Sequence, residues 1–203
     1  MTLALALLPL LALLTLLAGL AVTPLLGLLT ATSMILLRHG VVQTLPPVIL
    51  FTIVTALMVS IVPVWSLRRY TEEASPPRLG KVMLFALILL VAANLSLPSG
   101  DMLQPPAILA LPFVPVNAAV VSVALAVTFI GLAVLSLRDG VRFQFAGLLT
   151  ACDGLLLTAA NIRTPYAGWL IGACVLMLAG AGTWLVRRLS LLRPKATESS
   201  EAA

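Results

Sequence analysis

Residues 1–37 contain no charged side chain. A helix needs roughly 20 apolar residues to cross the hydrocarbon core of a bilayer, so this run holds nearly two crossings. Gly19 and Pro24 fall in its middle, and both residue types interrupt helices. The run reads as two short helices, about 2–20 and 23–37, joined by a tight turn. One long helix over the whole run is the alternative. A cleaved leader carries a basic stretch ahead of its apolar core. Here the first charge is Arg38, so a retained helix is expected.

The same pattern continues down the chain. Of its 203 residues 61% are hydrophobic and 9% charged, whereas a soluble domain has about a quarter of its residues charged. The apolar residues come in successive runs of near-spanning length, not in amphipathic stripes. A membrane β-barrel would need alternating strands of about ten residues, and the sequence has none. The expected fold is an all-α polytopic transmembrane bundle of about seven spans, or six if residues 1–37 form one helix. It would be a single domain over residues 1–195, followed by a disordered tail over 196–203.

After Arg38-His39-Gly40, a third span is expected over about 41–67, with Pro46 and Pro47 breaking its start and Pro63 its end, so that either a kink or a late helix start is expected. His39, beside an arginine in a turn, reads as interfacial. The charged loop 68–81 leads to a fourth span over 82–97, and residues 99–115 are rich in proline yet apolar. Such a segment suits an interfacial or re-entrant piece resting on protein. A fifth span is expected over about 116–137, a sixth through 143–162 and a seventh over about 166–186. The last carries Gly168 and Gly172, then Gly180 and Gly182, and small residues at such spacing let helices approach closely. Tyr166, Trp169 and Trp184 sit near its ends, as interfacial aromatics do.

Charge sets the expected topology. With seven spans, ten of the twelve basic residues share one side: Arg68, Arg69, Arg78, Lys81, Arg138, Arg142, Arg187, Arg188, Arg193 and Lys195. Arg38 and Arg163 lie opposite. The positive-inside rule then puts the 138–142 turn and the C-terminus in the cytoplasm, with the chain in a bacterial inner membrane. The net charge of +5 is gathered at span ends, so lipid is the expected partner and nucleic acid is not. Cys152 and Cys174 lie within spans, far from His39 in sequence. They read as packing residues, with no metal site and no cofactor.

Asp153 is the carboxylate that lies deep inside an apolar span, and an ionisable residue at membrane depth is a functional candidate. On a helix it shares a face with Thr150, Leu157 and Asn161, and further down with Ala146 and Arg142. Arg142 is about 16 Å away along the axis, too far to pair directly. An aspartate at the centre of a span costs about 2.5–3.5 kcal/mol to insert. The acid is therefore expected to be protonated, hydrated or partnered by another helix or another subunit. Two roles stay open: a protonatable site, or a packing residue that hydrogen-bonds a neighbouring helix. The chain has no Walker motif, no histidine pair at helical spacing, no Cys-x-x-Cys and no evident inverted repeat. These absences argue against an ATP-driven pump, a b-type haem, an iron–sulfur cluster and a stand-alone secondary transporter.

One arrangement resembles a known family. Ser136 to Gly147 forms a basic turn, Arg138-Asp139-Gly140-Val141-Arg142, that enters a helix with Gln144 and Gly147. Asp153 and Gly154 follow six residues after that glycine, and then leucines. This looks like the membrane subunit called hydrogenase-4 component E, a relative of the K subunit of respiratory complex I. Ile171-Gly172 and the closing Leu185-Val186-Arg187-Arg188 are similar to that family's last span. Residues 52–59 and Arg68-Arg69-Tyr70 are similar to its third. The detailed likeness covers residues 125–188. It implies a non-catalytic helical subunit beside larger antiporter-like membrane subunits and a peripheral hydrogenase module, with electron transfer there coupled to proton movement. K-type subunits carry mid-membrane glutamates on two helices, whereas the first five spans here have no intramembrane acid. The resemblance thus implies at most one protonatable site, Asp153, with Thr150, Asn161 and Arg142 as its polar face. The packing glycines would be Gly147, Gly154, Gly168 and Gly172. An independent small transporter or an assembly protein, with Asp153 as a substrate or packing residue, is the alternative.

Overall fold

The computed structural model describes residues 2–38, 46–67, 118–138, 140–161 and 165–192, together with Leu84, Leu87, Ile88 and Val91. All described elements are helical: α1 (Thr2–Ala18), a 3-10 turn (Gly19–Ala21), α2 (Thr23–Arg38), α3 (Pro47–Ser66), α4 (Ala118–Leu137), α5 (Val141–Asn161) and α6 (Pro165–Leu192). Helices satisfy every backbone polar group internally, which apolar runs of this length require in lipid. Helices α3 to α6 each hold a stretch long and apolar enough to cross a membrane. The chain is therefore a membrane protein. Helices α1 and α2 are apolar but shorter.

The interruption expected near Gly19 and Pro24 falls at the 3-10 turn, so residues 2–38 form two helices and not one. Gly19 has φ +59 there, a conformation that L side chains rarely adopt. Helix α3 starts at Pro47, whose missing N–H suits a first helical position, and ends with Leu67 N–H donating to Pro63 O at 2.9 Å. The apolar stretch of α6 covers Tyr166–Arg188, close to the seventh span expected over about 166–186, and the helix continues to Leu192. Arg187 and Arg188 end the apolar run without breaking the helix, and no proline follows until Pro194. Most of the expected fourth span, the 99–115 segment, His39 and the tail lie outside the described residues. Leu84, Leu87, Ile88 and Val91 are helical and exposed.

Helix α5 is the axis of the bundle. Of its spanning stretch 72% is buried, against 39%, 44% and 22% for α3, α4 and α6. It forms an antiparallel hairpin with α4, turned at Gly140, whose φ is +118. Glycine brings the two backbones together. A Cβ at Gly147 would stand 2.7 Å from both Gly131 O and Leu135 N, and one at Gly154 would stand 2.7 Å from Ala124 O. The core then fills with Leu8, Leu26, Met34, Val59, Ile130, Val134, Leu149 and Leu156, drawn from α1 to α5.

Contacts between the helices give their directions. Gly19 packs on the Phe143 ring and Thr15 meets Thr150, so α1 runs antiparallel to α5. Gly168 faces Val48, Gly172 faces Phe51, and Thr183 lies beside Val62 and Pro63, so α3 and α6 run parallel. The turn between α1 and α2 therefore meets the turn between α4 and α5 at one end of the bundle. There the Arg138 guanidinium lies 3.9 Å from the centroid of the Phe143 ring. Burial lowers the pKa of Arg138 from its ordinary value, though an arginine stays protonated in any case.

Candidate functional site

The site is built where α5 passes α1, α2 and α3. Thr150, Asp153 and Leu157, with Ala146 one turn earlier, are each at most 1% exposed, and Asn161 is buried at the far end. These positions share one side of a helix, and that side faces the bundle interior. Arg142 is half-buried at the opposite end of α5. The structure thus gathers Thr150, Asp153 and Asn161 into the interior and leaves Arg142 near the turn.

The partner of Asp153 is a serine. Ser60 Oγ of α3 donates toward both carboxylate oxygens, at 3.4 Å to Oδ1 and 3.3 Å to Oδ2. Sequence reasoning passed over Ser60. The signal was there in the spacing of Thr52, Thr55, Ser60 and Pro63 along α3, all of them buried. Ser60 is admitted by Gly27 of α2, where an added Cβ would collide with the Ser60 side chain and approach Ala56 O at 3.1 Å.

A pair of hydroxyls lies one turn away. Thr150 Oγ1 is 3.4 Å from Thr15 Oγ1 and donates to Ala146 O at 2.8 Å; Thr15 Oγ1 donates to Ala12 O at 2.6 Å. Both hydroxyls are committed to their own helices. Thr55 Oγ1, on the Ser60 helix, is buried without a hydrogen-bond partner. The result is a short polar seam through an apolar bundle: Thr15, Thr150, Asp153 and Ser60.

Asp153 is the one acidic residue among the described residues, and no cation among them pairs with it. A single enclosed carboxyl can hold or release one proton. It cannot divide acid and base roles as a carboxylate pair does. No group of metal-ligating side chains forms among the described residues. Cys152 is buried beside Asp153, Cys174 faces outward, and both are free thiols.

The glycines fall on two seams. Gly147 and Gly154 meet the α4 backbone, whereas Gly168 and Gly172 meet side chains of α3, Val48 and Phe51. Trp169 stacks on Phe51 with ring centroids 4.4 Å apart. Tyr166 and Trp184 are exposed at opposite ends of α6, and Gln144 faces outward. No family model, curated protein or solved structure matches the chain.

The Ser60 contact is longer than the usual 2.5–3.0 Å for O–H···O. Ser60→Ala is therefore expected to cost only about 0.6 kcal/mol, the average for an interhelical hydrogen bond in lipid. Ser60→Leu should cost several times more, because the larger side chain is driven into α2 at Gly27. Reversible unfolding in mixed micelles measures both. Equal losses for the two variants would show that the site is not packed as described.

Proposed function

We propose that the chain is a non-catalytic, multi-pass subunit in the membrane arm of a hydrogenase-4-like or complex-I-like assembly. It holds no redox cofactor and supports proton translocation driven by electron transfer in its partners. The observation that carries this reading is the Gln144, Gly147, Asp153, Gly154 frame, which lies on the most buried helix of the bundle. In that setting Asp153 supplies one protonatable site to a path shared with neighbouring subunits. Its enclosure, and the absence of a second acid on the described helices, fit a shared half-site better than a complete channel.

The membrane is a bacterial inner membrane, crossed seven times, with the C-terminus in the cytoplasm. The distribution of the twelve basic residues supports this orientation. The parallel course of α3 and α6, and the meeting of the α1–α2 and α4–α5 turns at one end, suit alternating crossings.

The Ser60 contact favours a second reading, an independent small transporter or assembly protein in which Asp153 packs helices or touches substrate. Affinity purification of the tagged chain from native membranes in mild detergent separates the two. Larger antiporter-like membrane proteins and a hydrogenase-type module should co-purify. A monodisperse chain that transports solute by itself in liposomes would overturn the first reading.

A further inference from the structure

Helices α3 and α6 are closed at one end and open at the other. At the closed end Phe51 stacks on Trp169, and Gly168 and Gly172 receive the side chains of Val48 and Phe51. Toward the basic end the helices part around a groove of about 520 Å³, within the size range of small-molecule sites. Its walls are apolar, with Met58 and Val62 on α3 and Leu176 on α6. Gly180 forms part of its floor, and a Cβ there would meet none of the described residues within 4 Å.

Polarity is graded along this groove. The hydroxyls of Ser66 and Thr183 line the upper part, but each donates to its own helix, to Pro63 O and Ala179 O respectively. Arg187 lines the mouth. Arg188 lies 5.2 Å from the centroid of the Trp184 ring, which is 60% exposed. A tryptophan with arginines marks the level of lipid headgroups.

We propose that this groove binds one anionic phospholipid, its acyl chain along Met58, Val62, Leu176 and Gly180 and its phosphate on Arg187. Length decides between a lipid and a partner helix. From Met58 to Ser66 the groove runs about 12 Å along the axis, close to one leaflet of a hydrocarbon core about 30 Å thick. A transmembrane helix docking on this face would need contact along the whole span, and the Phe51–Trp169 stack closes the other half. Charge selects the headgroup: arginine matches phosphate in a forked geometry, and the cytoplasmic leaflet is rich in anionic lipid. The inference rests on the orientation proposed above and is independent of the partner assembly.

The test is native mass spectrometry of the full-length chain from nanodiscs holding equal amounts of phosphatidylglycerol and phosphatidylcholine. Wild type is expected to retain one phosphatidylglycerol in preference to phosphatidylcholine by about fivefold, the selectivity of one arginine at an anionic surface. Arg187→Gln should abolish the preference while lipid is still retained. Gly180→Leu extends into the groove, where a Cβ meets none of the described residues within 4 Å, and should release the lipid while the protein stays monodisperse. Equal retention of both lipids by wild type, or unchanged retention by Gly180→Leu, overturns the proposal. So does disulfide crosslinking of Gly180→Cys to another polypeptide or to another segment of this chain.

Discussion

Gly147→Leu is expected to prevent the bundle from forming. A Cβ at this position stands 2.7 Å from Gly131 O and Leu135 N, closer than any relaxed contact. The obstructing atoms are backbone, so no rotamer change relieves them and α4 must move as a body. Overpacking a core costs typically about 1–3 kcal/mol where side chains can yield; here the cost should exceed about 3 kcal/mol. Folded proteins have only about 5–15 kcal/mol in hand. The monodisperse fraction after detergent extraction should fall by about tenfold or more, and the remainder should unfold at lower temperature. Gly180→Leu is the control, because a Cβ there meets none of the described residues within 4 Å, and it should leave yield within about twofold of wild type. A Gly147→Leu protein with wild-type yield and melting would show that α4 and α5 are not in backbone contact.

That seam shows what was legible in the sequence. Apolar run length and interrupting residues placed the breaks: the turn at Gly19, the late start at Pro47, and the hairpin at Gly140. Spacing alone put Thr150, Asp153 and Asn161 on one helical face. Neighbours were harder to read. Gly131 carries no motif of its own, yet it receives the α5 backbone, and Ser60 has no marker beyond three hydroxyls at helical spacing. Both are set by which helix lies alongside, information that a hydropathy pattern does not hold. The apolar stretch of α6, Tyr166–Arg188, matches the expected seventh span, while the helix itself runs on to Leu192. Charge marks where a membrane stops, not where a helix stops.

The second large effect follows from the proposed function: in a proton-coupling assembly Asp153→Asn should slow coupled proton transfer by about tenfold or more and leave the complex at wild-type abundance. Asparagine keeps the volume and keeps a carbonyl oxygen to accept from Ser60 Oγ, so the α3–α5 contact survives. What it loses is the exchangeable proton. If Asp153 were only a packing residue, that loss would be silent, since the contact it makes is worth only about 0.6 kcal/mol in lipid. Asp153→Leu removes the acceptor as well and leaves Ser60 facing an apolar side chain. A structural role predicts damage from leucine and none from asparagine; a proton-carrying role predicts loss of coupling from both. The deciding measurement is proton uptake per electron transferred in membrane vesicles, normalised to the amount of assembled complex. Normal coupling in Asp153→Asn, with assembly lost only in Asp153→Leu, would leave Asp153 as a fastener between α3 and α5. In the proposed assembly the proton path would then run through the partner subunits alone.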